Sequence, residues 1–325
     1  MESIFKTELA TNASGLCCQP SQKRHALYCS YLRIGGVSVH IAGGHSPDLV
    51  FDSSLHLFWD EFRVSDVDIQ VRWIPEIFSV SGPVVFDSGT TWRLYESGDL
   101  LQFDFGDPIT SGRPCRRLLV DRCFRRADLE MSWRYYASIL GAVDPLSYPL
   151  DELLIMHRLT QERAIELHGT GIVRANGTAN LFVGHSGAGK STTTRLWTSR
   201  EEVEVLSDDR IIVRLDDGRD GPAGQTGMRM YGTPWHGEAM FASPNSAPLT
   251  RIFILEHGHG NVITRLTRSQ MVAELFARAF VPFHRHEYVE SALSFLEQLV
   301  DSVPCYRYSF EPDQRAVDKI LHFHD

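Results

Sequence analysis

Lysine is scarce in this sequence of 325 residues: only Lys6, Lys23, Lys190 and Lys319 occur, so arginine carries most of the positive charge. The formal net charge is -9, and no basic run interleaved with aromatic residues offsets it. Such a surface repels a polyanionic phosphate backbone, so nucleic acid is not an expected partner. Because lysine is rare, its presence inside a glycine-rich segment at Lys190 is informative.

Cysteines and long apolar runs are few as well. The six cysteines show no C-x-x-C spacing and too low a density for a secreted scaffold, which favours free thiols in a reducing compartment. No run of about 18 apolar residues occurs, so no membrane-spanning helix and no membrane partner are expected. These absences predict a cytoplasmic protein.

The pattern of apolar residues predicts two domains. Residues 1–145 form the first, a β-rich α+β domain of unknown role. Residues 67–73 alternate apolar and polar side chains there, residues 96–99 predict a hairpin turn, and a helix is expected near residues 129–140. Prolines around residue 145 indicate a boundary, and residues 146–325 form the second domain.

Strands and helices alternate in the second domain, which predicts an α/β fold with a mixed sheet. The patterns predict strands at residues 164–173, 180–183, 203–206, 210–215 and 228–231, and a helix from residue 191 to 197. The glycines in His168-Gly169-Thr170-Gly171 predict an interruption of the first of these strands.

One segment of the second domain matches the phosphate-binding pattern G-x-x-x-x-G-K-[ST]. It reads Gly184-His185-Ser186-Gly187-Ala188-Gly189-Lys190-Ser191, and Thr192 continues it into a helix. Small residues let backbone N–H groups approach phosphate oxygens, and the helix that follows presents its positive end. Lys190 would neutralise the β and γ phosphates, and Ser191 would bind Mg²⁺. The segment therefore predicts ATP and Mg²⁺ as cofactors; the alternative is a glycine-rich turn that binds nothing.

A pair of aspartates follows a predicted strand at Ser207-Asp208-Asp209. Phosphoryl transfer needs one carboxylate to hold magnesium and another to orient or deprotonate the attacking hydroxyl. Adjacent aspartates can divide these two roles. Ser and Asp also form ordinary turns after strands, which is the alternative explanation.

Three segments together resemble the C-terminal catalytic domain of HPr kinase/phosphorylase, namely Glu166-Leu167-His168-Gly169, the loop at residues 184–192, and Leu206-Ser207-Asp208-Asp209-Arg210. That family has a phosphoenolpyruvate carboxykinase-like fold. Residues 231–238 and 251–256 are more similar to its shorter, divergent serine-kinase relatives. The resemblance covers residues 145–325 and implies a serine kinase that self-associates.

The resemblance also implies a role for each matching residue. Asp208 takes the proton of the acceptor hydroxyl, and Asp209 holds Mg²⁺ together with Ser191. His168 supports the aspartates electrostatically, unless hydrogen bonds within the core are its only role. Glu238 is a further candidate metal ligand, although its neighbours also suit a structural turn. The acceptor is an unidentified hydroxyl of a protein, peptide or small molecule.

Two signatures of the bifunctional enzyme are missing: the second glycine-rich signature near residues 228–238, and the mobile basic loop. Phosphorylase activity and HPr as acceptor are therefore not implied. Three other functions stay open: a conventional P-loop metabolite kinase with an all-parallel sheet, a catalytically inactive nucleotide-sensing module, and, more remotely, a decarboxylating carboxykinase.

Overall fold

The computed structural model describes residues 28–43, 53–61, 64–78, 82–106, 113–137, 143–216, 218 and 226–324. Within these ranges the first half of the chain contains, in order, β1 (Tyr28–Ile34), β2 (Val37–Gly43), α1 (Ser53–His56), β3 (Val67–Ile74), β4 (Val84–Asp87), β5 (Trp92–Ser97), β6 (Leu100–Gly106), β7 (Pro114–Asp121), β8 (Arg126–Ser132) and α2 (Trp133–Tyr136). The second half contains α3 (Leu150–Leu159), β9 (Ala164–Arg174), β10 (Ala179–Val183), α4 (Lys190–Arg200), β11 (Val203–Ser207), β12 (Arg210–Asp216), β13 (Gly227–Tyr231), β14 (Ser246–Pro248), β15 (Arg251–His257), β16 (Val262–Arg265), α5 (Arg268–Phe276), β17 (Ala279–Phe280), α6 (His286–Ser302), β18 (Cys305–Phe310) and α7 (Gln314–Leu321).

The first half forms one mixed sheet with the strand order β1-β2-β3-β8-β7-β6-β5-β4. Strand β3 is parallel to β2 and β8, and its alternation of buried and exposed residues confirms the strand predicted at 67–73. The predicted hairpin is also confirmed, since β5 and β6 are joined at Gly98, whose φ is 63°.

The helix predicted near residues 129–140 is mostly wrong. Leu129 and Met131 are buried in β8, where they alternate with half-buried neighbours, and helix occurs only in the short α2. The apolar residues here have the period of a strand. The aromatic residues that follow made the pattern look helical over a longer range than the short helix α2. Residues 138–140 of the prediction lie outside the described residues.

The second half forms another mixed sheet, ordered β14-β13-β12-β9-β10-β15-β18-β16, with β11 and β17 also pairing with β9. Among the described residues, its neighbouring strands pair antiparallel, except β10 with β15 and β15 with β18, which are parallel. One face packs on α5 and α6 through residues such as Leu181 and Leu296, and the other packs on α4 and α7 through Phe182 and Trp197. No helix in the described ranges is both long and apolar enough to cross a membrane.

Strand β9 runs without interruption from Ala164 to Arg174, so the predicted break at residues 168–171 is wrong. Its glycines serve close packing instead. A Cβ on Gly169 would lie 2.9 Å from the carbonyl oxygen of Phe182, and one on Gly171 would lie 2.8 Å from Cδ1 of Ile211. Small residues therefore let several strands pair around β9.

Helix α3 lies between the two sheets in sequence and packs against the first. Leu150 and Leu154 belong to the apolar core of the first half, and Ile212, Tyr231 and Trp235 of the second half complete that core. The boundary predicted near residue 145 lies just before α3 in the chain. The apolar core nevertheless continues across it, so the two halves are packed together.

Candidate active site

The phosphate-loop segment connects the end of β10 to the start of α4, between a buried strand and a helix as predicted. Its glycines are required by close approach. A Cβ on Gly184 would lie 2.6 Å from Cβ of Ala188. Gly189 has a φ of 101°, and a Cβ there would lie 2.5 Å from the Phe310 ring. The loop can therefore close tightly only with glycine at these positions.

Lys190 is folded over the loop that precedes it. Its Nζ donates to the carbonyl oxygens of Gly184 and His185, each at 3.2 Å, and the residue is only 7% exposed. Burial lowers the pKa of Lys190, and the negative charge of Asp209 opposes that effect without cancelling it. The result is a desolvated cation held at the mouth of a strand-to-helix loop.

The first turn of α4 supplies donors beside this cation. The amide of Thr193 donates to the carbonyl of Gly189, while the N–H groups of the residues before it belong to the part of a helix that has no intrahelical acceptors. Ser191 and Thr192 are half-buried at this end, and His185, Ser186 and Gly187 are exposed. A phosphate at this position would meet oriented N–H groups and the positive end of the helix dipole.

Asp208 and Asp209 form the short connection between β11 and β12, and they have different environments. Asp208 is 1% exposed and accepts three backbone hydrogen bonds, from Gly237 at 3.0 Å, Ala239 at 2.8 Å and Phe241 at 3.2 Å. Its carboxylate therefore holds the segment 237–241, named here the 237–241 turn. Glu238, a predicted metal ligand, lies exposed in this turn.

Asp209 contacts the other predicted site residues. His168 Nε2 lies 3.0 Å from Asp209 Oδ1, because the pairing of β9 with β12 sets His168 opposite Arg210. Burial opposes ionisation of Asp209, but the His168 hydrogen bond and the charges of Arg210 and Lys190 outweigh it and lower its pKa. Asp209 is therefore a carboxylate at neutral pH, within electrostatic range of Lys190.

Arg210 joins this pair to two further acidic residues, Glu152 and Glu166. Its guanidinium contacts Asp209 and Glu152, and its Nε lies 3.5 Å from Glu166 Oε1. Burial lowers the pKa of Arg210, but these three carboxyl groups outweigh it and raise that pKa. Glu166 is fully buried, and burial raises its pKa. The signal for Glu166 was a charged residue inside an apolar strand pattern.

The described residues contain no group of three or more His, Cys, Asp or Glu side chains that could hold a metal ion alone. Magnesium bound with a nucleotide usually keeps several waters and takes one or two protein carboxylates together with phosphate oxygens. Ser191 and Asp209 have the chemistry for such a partial set. Each oxygen of Asp209 has one contact, to His168 or to Arg210, and a carboxylate has about four lone-pair sites.

Comparison with known proteins does not supply a relative for this site. No family model matches the chain, and no curated protein matches it at a significant level. The function therefore has to be inferred from the residues and their geometry.

Proposed function

We propose that this protein is an ATP-dependent kinase that transfers the γ-phosphoryl group to a hydroxyl of a protein, a peptide or a small molecule. The observation that carries the proposal is the proximity of Lys190, buried at a phosphate-loop segment, to the ionised carboxylate of Asp209, which is bonded to His168. A glycine-rich turn that binds nothing has no need of a buried lysine, whose desolvation costs free energy.

ATP would bind with its phosphates on the loop and on the first turn of α4. Lys190 would exchange the two carbonyl oxygens that it now contacts for β- and γ-phosphate oxygens, which are stronger acceptors because they are charged. Ser191 and Asp209 would hold Mg²⁺ beside these phosphates. Bound there, Mg²⁺ would neutralise the charge that develops on the phosphate oxygens.

The contacts of the two aspartates favour a division of roles different from the predicted one. A residue that takes a proton from the acceptor has to face it, yet Asp208 is buried and its carboxylate already accepts from three backbone amides. We assign Asp208 to holding the 237–241 turn, and the pair of Asp209 and His168 to the reaction centre. Glu238 would then border the acceptor side.

The chemistry requires mainly positioning and charge. In phosphoryl transfer the bond from the γ-phosphorus to the ADP oxygen breaks while the bond to the acceptor oxygen forms, through a loose transition state. The proton of the acceptor hydroxyl would pass to His168, whose ring is held by its hydrogen bond to Asp209. Lys190 would stabilise the charge that accumulates on the transferring and leaving groups.

The mixed sheet supports this proposal over a conventional P-loop metabolite kinase. Such an enzyme is built from repeated βαβ units with parallel strands, whereas β9, β12 and β13 are antiparallel neighbours here. The same arrangement is compatible with the proposed kinship to HPr kinase and the phosphoenolpyruvate carboxykinase-like fold. Phosphorylase activity is not part of the proposal.

A nucleotide-sensing module without catalysis is the second candidate, favoured by the burial of Asp208 and its three hydrogen bonds to backbone amides. One experiment separates the two functions. The full chain is titrated with ATP and Mg²⁺ in a calorimeter, and is then incubated with ATP radiolabelled at the γ-phosphate and a lysate of its source. A kinase binds ATP and labels a hydroxyl acceptor that mass spectrometry can identify. A sensor binds ATP and labels nothing, and no binding of any triphosphate would refute both.

A further inference from the structure

A cavity of about 530 Å³ lies where both halves of the chain meet α3, within the size range of small-ligand sites. The first half contributes Leu55 to its lining, and the segment leading into α3 contributes several polar residues. The residues of the lining that bear on recognition are Asp144, Tyr148, Asp151, Arg210, Trp235 and His236. The phosphate-loop residues do not line this cavity.

Asp151 is the unusual member of the lining. It is 7% exposed, and its Oδ2 accepts a hydrogen bond of 2.7 Å from the indole Nε1 of Trp235. Its Oδ1 is buried and has no hydrogen-bond partner among the described residues. A buried acceptor without a partner costs free energy, so a ligand that donates a hydrogen bond here would remove that cost.

The charges around the cavity favour a cationic donor. Arg210 is already contacted by Glu152 and Asp209, so its charge is balanced. Asp144 adds a second carboxyl group to the lining, beside the aromatic side chains of Trp235 and Tyr148. Carboxylates flanked by aromatic rings are a favourable environment for an ammonium or a guanidinium group.

Two residues of the cavity lining, Arg210 and His236, are connected to the proposed reaction centre. Arg210 lines the cavity and contacts Asp209 with the same guanidinium group. His236 also lines the cavity, and the next residue, Gly237, donates its amide hydrogen to Asp208. A ligand in the cavity would therefore be one side chain, that of Arg210, away from Asp209, and would contact the segment that is bonded to Asp208.

We propose that this cavity is the acceptor site, and that it recognises the acceptor by a guanidinium or primary ammonium group bound to Asp151 and Asp144 against Trp235. The assignment of the ligand as an acceptor rests on the proposed kinase function. The binding of a cation does not depend on that function, so the two can fail separately.

The indole N–H of Trp235 provides a direct readout, because it is bonded to Asp151. The full chain is labelled with ¹⁵N at its tryptophan indoles, and a Trp235→Phe variant identifies the signal. The probes are Nα-acetylarginine methylamide and its neutral citrulline counterpart, which match closely in shape and differ in charge. We expect the arginine probe to shift the Trp235 signal saturably, with an affinity at least about tenfold higher than that of the citrulline probe.

Variants test the residues involved. Asp151→Asn keeps an acceptor for Trp235 and should abolish the preference for the arginine probe. Asp144→Asn provides a second test in case that variant folds poorly, and it should weaken binding of the arginine probe several-fold. Asp318→Asn removes a carboxyl group that does not line the cavity, so it should change the affinity for neither probe. Equal shifts by both probes, no saturable shift, or a preference that survives both cavity variants would overturn the proposal.

Two controls separate this inference from the kinase function. Lys190→Met should bind ATP roughly 10- to 100-fold more weakly and keep the response of Trp235 to the arginine probe. In the lysate assay, the arginine probe should compete with labelling of the acceptor, and the citrulline probe should not. Binding without competition would overturn the acceptor role alone. ATP transfer without any probe binding would overturn the cavity assignment and leave the kinase function intact.

Discussion

Replacing Lys190 with Met should abolish ATP turnover without unfolding the protein. The variant keeps the length of the side chain and removes its charge and its two hydrogen bonds to loop carbonyls. A hydrogen bond to a charged group contributes about 1.5–3 kcal/mol, which corresponds to roughly 10- to 100-fold weaker ATP binding. Loss of charge stabilisation in the transition state should lower the rate by a further factor of about 10² or more.

The stability of this variant follows from the direction of the pKa shift. Burial lowers the pKa of Lys190 below its ordinary value of 10.5, so the folded state binds this proton more weakly than the unfolded state does. The charged lysine is therefore a net cost to folding at neutral pH. We expect Lys190→Met to be at least as stable as the wild type, and the difference should shrink as the pH rises towards 10.5.

The assay combines calorimetric titration of ATP and Mg²⁺, label transfer to the acceptor, and denaturant unfolding at two pH values. Lys319→Met is the matched control, because Lys319 is one of only four lysines and is exposed in α7. That control should bind and transfer as the wild type does. Unchanged ATP affinity and turnover in a folded Lys190→Met protein would refute the assignment of the phosphate loop.

Three further perturbations test other parts of the site. Asp209→Asn should reduce phosphoryl transfer about 10²-fold in a folded protein. Asp208→Asn should instead lower the free energy of unfolding by about 1–3 kcal/mol, because an amide cannot accept hydrogen bonds from all three backbone donors. If kinetics and denaturation gave the reverse outcome, the role of base would return to Asp208. Burial raises the pKa of Asp151 to about 7, although the hydrogen bond from Trp235 and the nearby amide of Glu152 act to lower it. The wild type should therefore lose stability relative to Asp151→Asn as the pH rises from 3.8 to about 7. The loss is at most roughly 4 kcal/mol, and parallel unfolding curves across that range would contradict it. Gly189→Ala, whose Cβ would lie 2.5 Å from Phe310, should lower the midpoint of thermal unfolding more than Gly187→Ala, where no atom lies within 4 Å, and equal midpoints would exclude the packing argument.

Local patterns in the sequence predicted much of the architecture. The alternation at residues 67–73, the turn at Gly98 and the strand-to-helix change around Lys190 all depend on neighbours in the chain, and the structure contains each of them. The helix expected at 129–140 was wrong, because a short strand followed by aromatic residues resembles a helical pattern when its pairing partners are unknown.

The pairing of distant segments could not be predicted in the same way. Strand β9 pairs with β10, β11, β12 and β17, and the glycines that permit this crowding suggested a break in the strand instead. The environment of Asp208 depends on a turn about 30 residues later, which no local pattern reveals. Sequence therefore pointed to segments that the structure brings together, and the structure was needed to distinguish the environments of the adjacent aspartates.

Arg210 connects the phosphate-loop side of the molecule to the cavity. It is the cation that contacts Glu152 of α3 and Asp209 beside the phosphate loop, and it also approaches Glu166 of β9. A cationic ligand at Asp151 would add positive charge next to α3 and would attract the carboxylate of Glu152. Glu152 competes with Asp209 for the same guanidinium group, that of Arg210. Arg210 would then bind Asp209 more strongly and leave that carboxylate less free to bind Mg²⁺, so occupancy of the cavity should decrease the affinity for Mg²⁺ and ATP. By linkage, Mg²⁺ and ATP should decrease the affinity of the arginine probe by the same factor, and a factor of one in both directions would show that Arg210 does not couple them.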